Sequence, residues 1–267
     1  KRMIKLIAMD IDNTITSYKN LIPKRNIIAI RKAVKQGIKI VLASGRPEVS
    51  IFDVARRLGI ENNCYIISFN GSRIRELPSN RILFNSHLSN ESFCKLQQLA
   101  KDENIFLHTY KDRTVLTEKN NFYSRLEAKL INFKVKEVEK LTDEINSDDV
   151  IKVLLLQSPK KLKIAAEKIL PKIQHEMSAS FSAPFLLDVS ALGSDKGSSL
   201  KLLAEHLKIK REEIIAFGDN FNDKTMIEYA GTGVVVGNAC DEMKKIADIV
   251  APPCYFAGFA KVVEKFL

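Results

Sequence analysis

Ile4-Lys5-Leu6-Ile7-Ala8-Met9-Asp10-Ile11-Asp12-Asn13-Thr14 is a short apolar run that breaks abruptly into acid. Its length and near-continuous apolar character are those of a strand buried on both faces. The pattern repeats downstream. Pro23 opens an amphipathic stretch with Ile27, Ile30 and Val34 on one side, and Ile38–Ala43 is a second strand-like run. Pro47 starts another helical pattern stopped by Gly59, and Cys64–Phe69 is a third strand ending in the turn pair Asn70-Gly71. Strand and helix alternate, which predicts an α/β fold: a Rossmann-like, doubly wound parallel sheet with helices on both faces.

The rhythm then changes. Arg73–Glu76 and Arg81–Phe84 read as a hairpin, as do Ile105–Tyr110 and Arg113–Glu118. Ser89 is placed to cap a helix running to about Glu103, and helical patterns are expected at Phe122–Ile131 and Lys136–Ile145. Val150–Gln157 reads as a strand, Lys160–His175 as a helix that Pro171 kinks or ends, and Ser178–Ala183 and Phe185–Val189 as paired strands. After Gly193 the strand–helix alternation returns, with Lys196–Leu207 a helix and Ile214–Phe217 a strand. The expected organisation is a core of residues 1–84 and 190–267 interrupted by an α+β insertion at 85–189. His108, Tyr110 and Arg113 fall on an insertion hairpin and read as a solvent-exposed sheet edge.

Ligands of open parallel sheets bind beyond the carboxyl ends of the strands. Here those ends carry Asp10-Ile11-Asp12, Ser44-Gly45-Arg46, Asn70-Gly71 and Gly218-Asp219-Asn220-Phe221-Asn222-Asp223, with Lys196 at a helix start. Taken singly, each is a common turn or cap. Taken together, in one order and at the same end of correctly typed strands, they make a site. Asp10 and Asp219 on neighbouring strands would be costly without a cation between them, and hard oxygen ligands suit Mg²⁺. A serine hydroxyl, a glycine N–H, a lysine and helix N-termini suit a phosphate. Magnesium, phosphate and a carboxylate facing phosphorus make a phosphoryl-transfer site in which an aspartate can be the nucleophile.

Asp10-x-Asp12-x-Thr14, Ser44-Gly45-Arg46, Lys196 and Gly218-Asp219-Asn220-x-Asn222-Asp223 resemble, in order, the four motifs of the haloacid dehalogenase-like superfamily. The likeness is strongest to its Cof-type phosphatases, which carry a large α+β cap between the second and third motifs; Val236-Gly237-Asn238-Ala239 agrees. The resemblance implies that Asp10 is the nucleophile and a Mg²⁺ ligand. It implies that Asp12 is the general acid and then base, ligating Mg²⁺ through its backbone carbonyl. Ser44, the Gly45 amide, Lys196 and Asn222 would hold the phosphoryl oxygens. Asp219 would ligate Mg²⁺, with Asp223 supporting the metal or Lys196 from behind. The family usually has glycine where this chain has Asn13; asparagine tolerates left-handed backbone better than most residues. The Pro252–Ala260 stretch lacks the Asp-Gly-Val or Glu-Gly-Val often found there.

Length and composition fit this reading. The chain has 267 residues, 45% of them hydrophobic and 28% charged, enough for a core and too few for an array. No apolar run approaches the ~20 residues of a membrane span, and Ile4–Met9 is too short for a signal-peptide core despite the basic Lys1-Arg2 before it. Cys64, Cys94, Cys240 and Cys254 have no metal-site spacing and read as reduced thiols, so a cytoplasmic location is expected. The net charge is +10; residues 85–189 carry 16 basic and 15 acidic side chains, so almost all the excess falls on the core that holds the expected phosphate site. The expected partner is a small phosphorylated metabolite, such as a sugar phosphate or a cofactor-related phosphate. A phosphomutase of the same fold is the alternative, but the insertion has no dense arginine cluster for a bisphosphate. A nucleic-acid binder fits the charge but lacks a basic run interleaved with aromatics.

Overall fold

The computed structural model describes residues 3–17, 20–145 and 150–267; Lys1 and Arg2 lie outside them. Lys1–Phe84 and Asp195–Leu267 form one compact unit, and Asn85–Ser194 form a second. The chain builds β1 (Leu6–Met9), α1 (Lys24–Lys35), β2 (Lys39–Ala43), α2 (Glu48–Leu58), β3 (Cys64–Ser68), β4 (Arg73–Glu76) and β5 (Arg81–Asn85). The insertion follows with α3 (Asn90–Asp102), β6 (Phe106–Lys111), β7 (Thr114–Thr117), α4 (Phe122–Ile131), β8 (Lys134–Glu137) and α5 (Leu141–Glu144). It closes with β9 (Lys152–Leu156), α6 (Pro159–Ile173), β10 (Met177–Ala183) and β11 (Leu186–Ala191). The first unit resumes with α7 (Lys196–His206), β12 (Ile214–Gly218), α8 (Lys224–Tyr229), β13 (Thr232–Val236), α9 (Asp241–Ile246), β14 (Ile249–Ala251) and α10 (Gly258–Val263).

The first unit is an α/β fold. Its eight-stranded sheet has the order β14-β13-β12-β1-β2-β3-β4-β5. The six strands from β14 to β3 are parallel, and β4 joins β3 antiparallel. Strand alternation feeds two cores. From β1, Ile7 and Met9 pack with α1, α2 and α10 (Ile30, Val54, Phe259), while Leu6 and Ala8 pack with α7, α8 and α9 (Leu203, Met226, Met243). All four β1 side chains are buried, and each large one contributes about 1.5–3 kcal/mol by leaving water. β1 sits between β12 and β2, where the winding direction reverses, so its carboxyl end opens at the switch point of the sheet. Asp10 is the next residue.

The inserted unit has a six-stranded sheet of order β10-β11-β9-β6-β7-β8, antiparallel except between β7 and β8. Helices α3 and α6 cover one face through Phe93, Leu96, Leu162, Ala165 and Ile169. Ser89 caps α3 as expected, its Oγ accepting from the Ser92 N–H at 3.1 Å. The expected helix at Lys136–Ile145 is instead β8 followed by the one-turn α5. Lys134-Val135-Lys136-Glu137 alternates lysine with a β-branched residue, the composition of a charged edge strand, and its register against β7 prevails over helical periodicity. α6 runs through Pro171 to Ile173, so the proline lies in the closing turn. The insertion returns to the first unit at Asp195, beyond the Val189 expectation, because β11 extends to Ala191. His108 is fully buried and Tyr110 partly buried, contrary to the exposed-edge reading: β6 lies inside the sheet, flanked by β9 and β7. All four cysteines are free thiols, Cys64 and Cys254 buried, Cys94 and Cys240 exposed.

Candidate active site

Every residue expected to serve the phosphoryl-transfer site lies in the first unit, at the carboxyl ends of β1, β2, β3 and β12 or at the start of α7. Met9 pairs with Phe217 on one side and Leu42 on the other, which sets Asp10 beside Gly218 and Ala43. The Asp10 N–H continues the ladder to Phe217 O (2.9 Å), so the strand itself fixes where this carboxylate emerges. The chain then makes a tight turn through Ile11–Ile15, with Asn13 in the left-handed region at φ 58°. Asparagine adopts this conformation at lower cost than most residues other than glycine.

Lys196 is the hub. It is fully buried, and its Nζ donates to Asp10 Oδ1 at 2.7 Å and Asp223 Oδ1 at 2.6 Å. Asp195 places it there: its carboxylate caps α7 by accepting from the Gly197 and Ser198 N–H groups, which launches the helix with Lys196 pointing inward. Burial alone would lower the Lys196 ammonium, but Asp10 and Asp223 outweigh it and hold the group charged. Asp223 packs against Gly218, where a Cβ would stand 2.4 Å from the Asp223 Cβ, and its second oxygen accepts from the Asp219 and Asn220 N–H groups. Gly71 serves the same assembly. Its φ is +110°, and a Cβ there would fall 2.3 Å from the Asp195 carbonyl oxygen, so only glycine lets β3 and the start of α7 approach this closely.

One carboxylate oxygen each from Asp10, Asp219 and Asp223 lies within 4.8 Å of the others. Burial, then Asp223, pushes the Asp10 carboxyl well above its ordinary range against the pull of Lys196. Burial and Asp223 likewise push Asp219 up to about 7, although Thr14 Oγ1 donates to its Oδ1 at 3.1 Å. The Asp12 carboxylate stands apart from this cluster. Arg46 grips both its oxygens, Nε at 2.8 Å and a terminal nitrogen at 2.5 Å, and also donates to Asn20 Oδ1. Four carboxylates are thus set against two cations, Lys196 and Arg46, leaving a surplus of negative charge beside a buried cluster. That donor set fits a hard divalent cation.

Ser44 is buried; its Oγ accepts from the Arg46 N–H and its carbonyl from the Asn70 N–H. Asn70 Oδ1 accepts in turn from Asn222 Nδ2 at 3.1 Å. Ser44, Asn70 and Asn222 are thus joined by hydrogen bonds at the ends of β2, β3 and β12, while Lys196 contacts Asp10 directly. Four members had no role assigned from sequence: Thr14, Arg46, Asn70 and Asn238, whose side chain donates to Asn13 O. Each lies inside or next to a quoted motif, so the signal was there; what only coordinates supply is the partner.

A family model described as haloacid dehalogenase-like hydrolase matches residues 7–263. A haloacid dehalogenase-like hydrolase from Bacteroides thetaiotaomicron superposes with a TM-score of 0.93 at 32% identity, covering 99% of this chain and 100% of that one. Phosphatase YwpJ of Bacillus subtilis is 28% identical over 99% of this chain and 100% of its own length. The 5-amino-6-(5-phospho-D-ribitylamino)uracil phosphatase YcsE of the same organism is 28% identical over 99% and 96%. The chain belongs to the haloacid dehalogenase-like hydrolases. Within them it is a phosphoric monoester hydrolase of Cof type. No helix among the described residues is long and apolar enough to cross a membrane.

Proposed function

We propose that this enzyme is a Mg²⁺-dependent phosphatase of small phosphorylated metabolites that works through an aspartyl phosphate on Asp10. The observation that carries the reading is Lys196 joining Asp10 to Asp223, with Asp219 alongside, at the switch point of the sheet. Asp10 and Asp219, with the Asp12 backbone carbonyl, would hold the metal, and Asp223 would support it and Lys196. Bound there, Mg²⁺ supplies positive charge that offsets repulsion between carboxylate and phosphate. Ser44, the Gly45 amide, Lys196 and Asn222 bind and orient the phosphoryl oxygens. An Asp10 oxygen attacks phosphorus, the bond from phosphorus to the ester oxygen breaks, and Asp12 gives that oxygen its proton. Asp12 then takes a proton from water as the water attacks phosphorus and frees Asp10. Arg46 fixes where the Asp12 carboxylate waits.

The first unit is the catalytic core and the inserted unit, residues 85–194, is the cap. The substrates are sugar phosphates or cofactor-related phosphates, and the activity of the YcsE relative puts a phosphorylated ribityl compound in the panel to be tried. The deciding experiment is a screen of phosphorylated metabolites with Mg²⁺, ranked by kcat/KM, with acid-quench trapping of labelled phosphate on Asp10. Turnover without label on Asp10 removes the covalent step; no turnover of any phosphomonoester removes the function.

A further inference from the structure

Asn238 lies in the loop after β13 and has no role in the mechanism above. Its side chain makes two directed hydrogen bonds to two different loops. Nδ2 donates to the Asn13 carbonyl at 2.9 Å, and Oδ1 accepts from the Cys254 N–H at 2.8 Å. Both amide ends are used, and each with the correct polarity, so the orientation of the side chain is determined.

The Asn13 carbonyl belongs to the peptide that joins Asn13 to Thr14. Asn13 is in the left-handed region, so this peptide follows the sharpest bend of the turn. Thr14 follows directly, and its hydroxyl donates to Asp219 Oδ1. Fixing the Asn13 carbonyl therefore fixes the plane from which Thr14 reaches Asp219. The third loop, through Cys254–Phe256, packs against the Ile11–Ile15 turn that carries Asn13 and Thr14. Asn238 thus ties the turn that supplies Thr14 to the loop that packs against that turn.

We propose that Asn238 is a positioning residue for Asp219. It acts through the Asn13–Thr14 peptide and sets the Asp219 oxygen for metal binding. This rests on the reading of Asp219 as a Mg²⁺ ligand. Among the described residues the Asn238 side chain has no hydrogen bond to Ser44, Lys196 or Asn222, so the ester KM is not expected to depend on it.

The test compares the parent with Asn238→Ala and with the near-isosteric Asn238→Leu, which fills the space without hydrogen bonds. Asn238 is exposed in a loop, so both variants are expected to fold, checked by thermal melting. Mg²⁺ alone is titrated calorimetrically into each folded protein, and hydrolysis of an aryl phosphate is followed over a Mg²⁺ series. The expected result is a Mg²⁺ dissociation constant raised about 10-fold in both variants. The Mg²⁺ concentration for half-maximal rate moves with it, and KM for the ester stays at the parent value. Parental Mg²⁺ affinity in either folded variant overturns the proposal, including when kcat falls. A parent that binds Mg²⁺ and fails to hydrolyse any ester counts against the phosphatase reading and leaves the calorimetric result to judge Asn238. A parent that binds no Mg²⁺ overturns the proposal together with the ligand assignment.

Discussion

Each unit buries a polar cluster, and the two differ in how acid is balanced against base. In the first unit Asp10, Asp12, Asp219 and Asp223 face Lys196 and Arg46, and acid remains in excess. In the inserted unit the charges are matched or removed. Lys152 pairs with Asp188 at 2.5 Å, and Tyr110 donates to Glu127 Oε1 at 2.7 Å. His108 Nδ1 meets Ser124 Oγ at 3.1 Å, and Ser124 also accepts from Asn121. His108 Nε2 and Glu127 Oε2 lie 3.9 Å apart, and among the described residues neither has a hydrogen-bond partner. Burial, reinforced by Lys152, pushes His108 down to about 3, and burial pushes Glu127 up to about 7. In both clusters burial favours protonated carboxyl groups, but the first sets four acidic side chains against two cations, an excess of acid that the second lacks. Burial of titratable groups is therefore no mark of catalysis by itself. The mark is an excess of acid converging at strand ends.

The sharpest way to break this contrast is Asp10→Asn. The amide keeps an oxygen for Lys196 but is no nucleophile, so hydrolysis of an aryl phosphate with Mg²⁺ is expected to fall by about 10⁴-fold or more, with the far-ultraviolet dichroism unchanged. Parental turnover would remove Asp10 from the chemistry. Lys196→Met comes next. It deletes the cation joining Asp10 to Asp223, and kcat/KM is expected to drop by about 10²–10³-fold, as for loss of one preorganised charge-stabilising donor. Unchanged kcat and KM would refute its role.

The first cluster was legible in the sequence because its members sit at fixed offsets from strand ends. Asp10 directly follows an apolar run, Gly218-Asp219 follows another, and Lys196 opens a helix. Strand order was enough to bring these together. The second cluster was not legible. His108 and Glu127 are 19 positions apart on a strand and a helix, and nothing local says that they meet. The expected helix at Lys136–Ile145 failed for a related reason: the register with β7 that makes Lys134–Glu137 a strand is a long-range fact. Arg46 was visible in its motif, but its grip on Asp12 depends on two loops whose approach no spacing encodes.

A smaller effect separates the clusters by pH. Between about 4.5 and 7, folded Glu127 holds a proton that the unfolded chain has released, so its contribution to stability falls as pH rises through that window. Between about 3 and 6.5 the unfolded chain takes up a proton that folded His108 refuses, so stability falls as pH falls. From about 4.5 to 6.5 the two slopes oppose each other. Glu127→Gln removes one of them. Relative to the parent, the variant is expected to gain stability as pH rises from 5 to 7.5, by on the order of 2 kcal/mol, read from urea unfolding. Lys152 and Asp188 stay paired in both proteins and cancel in the comparison. A difference that does not change with pH would mean that Glu127 is ionised in the fold, and the second cluster would then keep its charge.

The finest distinction concerns the turn that presents Asp10 and Asp12. Asn13 at φ 58° is the single point where this loop departs from the residue its family usually has. If the turn demands left-handed backbone and nothing else of this side chain, Asn13→Gly is expected to change stability by no more than about 0.5 kcal/mol, relief at positive φ being offset by a freer unfolded chain. Asn13→Ala puts a Cβ without a local hydrogen bond into the same conformation and is expected to cost about 1–2 kcal/mol. Both keep the backbone carbonyl that Asn238 holds, so kcat at saturating Mg²⁺ is expected to stay near the parent in each. If Asn13→Gly lowered kcat while leaving stability alone, the asparagine would be stiffening the loop for catalysis. The first cluster would then depend on backbone rigidity as well as on surplus charge.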